Sequence, residues 1–109
     1  MTTNNPLAPL DLAETAKSLA GPWSSEMLSS ELFTRTQLRA MENYTAPWHT
    51  HADGAEAFLV IEGHFWMDLE SGPIKLEQGQ WLVVPPGTSH RAIAEQRVVL
   101  LVLDGFAAR

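Results

Sequence analysis

Between residues 32 and 38 the chain alternates: Leu32, Thr34, Thr36 and Leu38 interleave with polar positions including Arg35 and Gln37, and Arg39 follows in phase. That period of two predicts a half-buried strand. Residues 57–61 are apolar on both faces, and 65–69 follow at once after Glu62-Gly63, which predicts a hairpin turn at Gly63. Further turns are expected at Ser71-Gly72-Pro73, at residues 77–80 and at Pro85-Pro86-Gly87, with strands at 74–76 and 81–84 between them. Residues 98–103 are apolar throughout, the pattern of a strand buried on both faces. Short strands with turn signals roughly every ten residues predict an all-β sandwich or barrel.

The chain opens differently. Its first ten residues are polar or proline-containing and are expected to pack loosely. Asp11 and Glu14 mark a helix start, Leu12, Ala13, Ala16, Leu19 and Ala20 give it one apolar face, and Gly21-Pro22 ends it. The expected organisation is an N-terminal segment, residues 1–28, with a short helix that serves as a packing lid or dimer arm, followed by one β domain, residues 29–105.

Composition narrows the chemistry. At 109 residues there is room for one core. The chain has no cysteine, so any metal must be held by nitrogen and oxygen. Thirteen acidic against seven basic residues give a net charge of −6, and the cations are scattered; nucleic acid is not an expected partner. No apolar run is long enough to span a bilayer, and the N-terminus lacks the basic start and apolar stretch of a signal peptide, so no membrane association and a cytoplasmic location are expected.

Two of the four histidines, His49 and His51, lie at i and i+2, which on a strand puts both imidazoles on one face. Glu56 starts the next strand on the face of Phe58 and Val60. A carboxylate among apolar walls needs a cation or hydrogen-bond partners, because leaving it buried and unpaired costs several kcal/mol, about 3–5 by the usual measure. A second segment, Gly79-x5-Pro85-x-Gly87-x2-His90, adds a turn that re-aims a strand and then another imidazole. His64, next to the turn glycine, reads as a surface or turn histidine.

With these residues the chain resembles the cupin superfamily, and within it the small single-domain bacterial cupins. His49-x-His51-x4-Glu56-x6-Gly63 matches the first cupin motif from its first histidine onward, and Gly79 to His90 matches the second. Two positions depart: Asn43 stands where the first motif opens with Gly, and Ala94 where the second closes with Asn. Both lie outside the ligand set and bear on strand-end geometry. The resemblance implies a double-stranded β-helix (jelly-roll) barrel holding one divalent transition metal on His49, His51, Glu56 and His90. Nitrogen and oxygen donors of this kind accept Fe, Mn, Ni, Co, Zn or Cu alike.

Phe58 and Val60, sharing the face of Glu56, are the expected pocket walls. Trp48 has the opposite parity to His49 and His51 and should face away, whereas the orientations of Trp66 and Trp81 are open. Gln37, Arg39, Gln80 and Arg91 read first as surface polars, with the rim or the pocket itself as the alternative. No Ser-His-Asp arrangement, phosphate-cradling glycine loop or paired catalytic carboxylate is visible. The expected partner is a small-molecule ligand or substrate. Three roles fit: a metalloenzyme acting on a small organic molecule by oxidation, isomerisation or decarboxylation, a non-catalytic ligand-binding or sensing module, or a structural metal site. A homodimer is also expected, from the surplus of apolar strand face at 32–38 and 98–103.

Overall fold

The computed structural model describes residues 9–29, 35–52 and 54–104. The loosely packed start therefore falls mostly outside the described residues, as do Leu32 and Thr34 of the first alternating run. Helix α1 (Leu12–Ala16) begins where the sequence predicts, with the Asp11 carboxylate accepting a hydrogen bond from the Glu14 N–H at 3.0 Å. It is shorter than its apolar face suggests. From Lys17 to Leu19 the N–H groups bond three residues back, tightening the chain out of α-helix while still burying Leu19.

Nine strands follow among the described residues: β1 (Trp23–Ser29), β2 (Arg35–Met41), β3 (Tyr44–Thr45), β4 (Glu56–Glu62), β5 (His64–Leu69), β6 (Gly72–Glu77), β7 (Trp81–Val84), β8 (His90–Ala94) and β9 (Val98–Asp104). They form two antiparallel sheets, ordered β1-β2-β9-β4-β7 and β3-β8-β5-β6. Phe58, Val60, Leu100 and Val102 from the first sheet meet Phe65, Met67, Leu76 and Ala94 from the second in one buried cluster. The sheets thus pack face to face, in jelly-roll fashion.

The expected barrel is not what forms. Among the described residues neither sheet closes: β1 and β7 are the edges of one, β3 and β6 the edges of the other. At the corners the backbone bonds locally, Gln80 N–H to the Glu77 carbonyl and Thr88 N–H to the Pro85 carbonyl, instead of continuing a ladder around the fold. The turn at Gly63 is likewise not a hairpin. Strands β4 and β5, on either side of it, belong to opposite sheets, so the chain crosses between layers there. Gly63 takes φ +82°, and a Cβ on it would lie 2.6 Å from the Arg97 carbonyl oxygen. Only glycine fits such a corner without displacing backbone. The real hairpin joins β5 to β6, where Leu69 pairs with Gly72.

Strand β2 reverses the inside-out reading of its alternation. Leu38 and Ala40 are fully buried, but in a second cluster with Ala16, Leu19 and Val99, on the outer face of the five-stranded sheet under the helix segment. The opposite face, carrying Gln37, Arg39 and Met41, looks between the sheets, where Met41 joins the main core. Strands β1, β3 and β8 carry weak patterns and were not legible in the sequence. On β5, Phe65 and Met67 point inward, which turns Trp66 and Asp68 outward; Trp81 also faces out and is 54% exposed. Asn43, at the motif position usually held by glycine, has φ +51°, a left-handed conformation that Asn tolerates better than other side chains. No helix among the described residues is long and apolar enough to cross a membrane.

Candidate metal centre

Two chain segments are tied together by backbone before any side chain matters. His49 and His90 exchange both N–H···O hydrogen bonds at 3.0 Å, and the Gly87 N–H donates to the His51 carbonyl at 2.8 Å. The turn after β7 is thereby fastened to the loop that carries the His-x-His pair. Glu56 arrives from the other sheet, as the first residue of β4, paired with Val84.

The four side chains meet between the sheets, with ligand atoms all within 4.8 Å of one another. Three Nε2 atoms surround one carboxylate oxygen: Glu56 Oε1 is 3.0 Å from His90, 3.2 Å from His51 and 3.8 Å from His49. Ligands bonded to one ion at metal–nitrogen distances near 2.0–2.1 Å stand roughly 3 to 3.4 Å apart, so the spacing fits with small adjustments. The tautomers fit as well. Nδ1 of His90 donates to the Thr88 carbonyl at 2.9 Å and Nδ1 of His49 to the Pro47 carbonyl at 3.1 Å, which leaves each Nε2 to face the shared centre. The cluster is capable of coordinating a single divalent metal ion.

Without a metal, His90 faces an acceptor at each ring nitrogen, Thr88 O and Glu56 Oε1, and its imidazolium form donates to both. Burial works against that charge, but the hydrogen bonds to Glu56 and Thr88 and the nearby carboxylate hold its pKa above the ordinary histidine value. Burial also works against the Glu56 carboxylate, which is only 4% exposed; the His90 hydrogen bond and the charges of His51, His90 and Arg39 outweigh it and lower its pKa. The carboxylate is therefore kept ionised, the form a metal requires.

The cluster forms one wall of a cavity of about 300 Å³. His49 and His51 are partly exposed toward it, whereas His90 is buried. Phe58 lines the cavity, with its ring centroid 6.4 Å from that of His90. Val60, expected beside it, does not: two residues farther along β4, it lies in the dry core. Trp48 is exposed, under the Arg91 guanidinium at 4.9 Å, and His64 is not part of the cluster. Sequence reasoning missed Trp23, Met41, Tyr44 and Met67 as lining residues, and for Arg39 preferred the surface over the rim or pocket, where it lies. The signal available for Arg39 was its parity with Met41, but the choice of inner face depends on which side the helix covers.

A family model for the cupin domain matches residues 39–104. The chain belongs to the cupin family. This cupin is 34% identical over 58 residues to the uncharacterised protein YdbB of Bacillus subtilis (strain 168), a match covering 52% of the chain and 51% of YdbB; it thus spans about half the length of that relative. Its fold is similar to that of a cupin-2 domain containing protein from Shewanella frigidimarina, with TM-score 0.80 and 23% identity over 86% of this chain and 91% of the other. It is also similar to KdgF from a Halomonas species, with TM-score 0.70 and 20% identity over 76% and 77% of the two chains. At such identities the likeness is one of fold.

Proposed function

We propose that this cupin is a mononuclear metalloprotein in which His49, His51, Glu56 and His90 ligate one divalent first-row metal, and that it acts on a small organic molecule held in the adjoining cavity. The observation that carries this is the convergence of three imidazole Nε2 atoms on one buried carboxylate oxygen at a cavity wall. A purely structural metal site is closed by its protein ligands, whereas His49 and His51 present their edges to open space. That difference favours a reactive or ligand-binding centre over a strand staple.

When bound, the metal supplies Lewis acidity or a redox centre to a molecule in the cavity. The chain's own residues do the rest. Thr88 and Pro47 carbonyls fix the ring orientations, Glu56 supplies the negative charge, and Phe58, Met41 and Met67 exclude water from one side. Oxidation, isomerisation and decarboxylation are all compatible with this arrangement. The test is elemental analysis of protein purified without added metal, followed by titration of the stripped protein with zinc and iron. About one ion per chain is expected, and none retained by a His49→Ala, His90→Ala double variant. Failure of the wild-type protein to take up any metal would overturn the reading.

The homodimer belongs to the same proposal. Leu59, Leu101, Trp81 and Val83 share the outer face of the five-stranded sheet, where Trp81 and Val83 are 54% and 46% exposed. A second copy covering this face would remove from water Trp81, the most exposed tryptophan among the described residues. Light scattering at micromolar concentration should return a dimer mass, reduced to a monomer by Trp81→Glu.

A further inference from the structure

We propose that the cavity beside the metal cluster binds a small organic carboxylate with an apolar body, and that Arg39 is its anion anchor. This deepens the metalloprotein reading, and rests on it for the shared cavity and for part of that cavity's charge balance.

The argument begins with parity. Leu38 and Ala40 are sealed on the outer face of β2, so Arg39 must project between the sheets, and it lines the cavity together with His49, His51, Glu56 and His90. A cation on the inner face of a sheet is costly unless an anion or strong acceptors meet it. Among the described residues it has incomplete satisfaction. One Nη2 donates to Gln37 Oε1 at 3.0 Å, an oxygen that also accepts from the Ser25 hydroxyl at 2.9 Å. Arg39 Nε is buried with no hydrogen-bond partner among those residues. Glu56 and Asp104 act on the guanidinium through their charge. Asp104, however, makes its own ion pair, to Arg35 at 2.8 Å, and Glu56 faces the histidines.

The Trp23 ring lies 5.1 Å from Arg39 Cζ. Aromatic contact steadies a guanidinium while leaving its in-plane N–H donors for a planar acceptor. A carboxylate is the acceptor whose two oxygens match that fork. The charge balance points the same way. A divalent ion with one Glu ligand keeps a net positive charge, Arg39 adds another, and the one further carboxylate lining the cavity, Asp104, is already paired. The remaining walls, Met41, Tyr44, Phe58 and Met67, are largely apolar and suit the body of the ligand, and the cavity volume of about 300 Å³ restricts it to a small molecule.

The test compares benzoate with benzamide, its neutral isostere, by calorimetry on the full chain in zinc-loaded and chelator-stripped forms. Benzoate should bind at least about tenfold more tightly than benzamide in both forms. Arg39→Gln should remove most of that preference while the zinc stoichiometry stays unchanged, and Arg39→Lys should restore part of it. No binding of benzoate at millimolar concentration, equal binding of the two probes, or a preference that survives Arg39→Gln would each overturn the proposal. The last outcome, if seen only with zinc, would place the carboxylate on the metal and leave the metal reading standing. If the protein takes up no zinc, the metal reading fails alone, and the probe pair still decides Arg39 in the stripped form. Should Arg39→Gln fail to fold, the wild-type probe ratio and Arg39→Lys carry the decision.

Discussion

The two ends of the space between the sheets are lined by the same strands and yet are opposite environments. Along one face of β4, Glu56 belongs to the metal cluster, Phe58 touches both regions, and Val60 is in dry core with Phe65 and Leu100. Four residues of one strand, about 14 Å at the usual rise, separate a buried carboxylate from a fully apolar layer. The dry end is held by non-directional burial and tolerates no gap. The other end is held by directed contacts, the His49 and His90 Nδ1–H groups on the Pro47 and Thr88 carbonyls, and keeps a cavity open. Stability and chemistry are thus separated along a strand rather than between domains.

The largest expected effect tests that separation from the dry end. Phe65 is fully buried, with its ring centroid 6.2 Å from that of Phe58. Phe65→Ala should lower the unfolding free energy by about 3–5 kcal/mol in denaturant titration. The folded fraction should still bind about one zinc per chain. If zinc binding is lost while the protein remains folded, the two ends are not independent.

The next effect comes from the polar end. Glu56→Gln keeps the shape and removes the charge that faces three imidazoles. Zinc affinity should fall by at least about a hundredfold, more than the 10–100-fold typical of a lost supporting contact. The melting temperature of the stripped variant should move less than that of Phe65→Ala. A stripped variant that melts lower than Phe65→Ala would make Glu56 a fold-determining residue first.

How much of this was legible in the sequence follows the same division. Strand period put His49 and His51 on one face, and the resemblance of the spacings from His49 to Gly63 and from Gly79 to His90 to the two cupin motifs implied the remaining members, Glu56 and His90, of the cluster that the fold brings together. The helix start was legible from Asp11 followed by Glu14, because the cap is one local contact, the Glu14 N–H on the Asp11 carboxylate. What failed depended on which layer covers which. The alternation in β2 reads as apolar-in, whereas α1 and Leu19 cover the apolar face and leave Arg39 inside. A glycine between two apolar runs reads as a hairpin, whereas β4 and β5 find different partners and Gly63 turns a corner against Arg97. Closure into a barrel is a property of sheet edges, and no local pattern reports whether β7 and β6, or β1 and β3, will pair.

The smallest expected effect sharpens the comparison by making the polar end pH-dependent in two opposite senses. In the stripped protein Glu56 has a lowered pKa, so its contribution is present above the ordinary carboxylate value of 4.5 and is lost as pH falls through the lowered value. His90 has a raised pKa, so its contribution is full below the ordinary imidazole value of 6.5 and is lost as pH rises through the raised one. The ion pair is therefore complete between those ordinary values and weakens toward alkaline pH as the His90 proton leaves. Metal binding needs that same Nε2 free of its proton, so zinc stabilisation grows over the range in which the ion pair declines. Melting temperatures of zinc-loaded and stripped protein, measured from about pH 5 to about pH 8, should diverge as pH rises. The dry end has no titrating group, and Phe65→Ala should displace both curves without changing their divergence. Curves that run parallel across this range would mean that His90 does not exchange a proton for the metal, and that the hydrogen bond to Glu56 is not the contact zinc replaces.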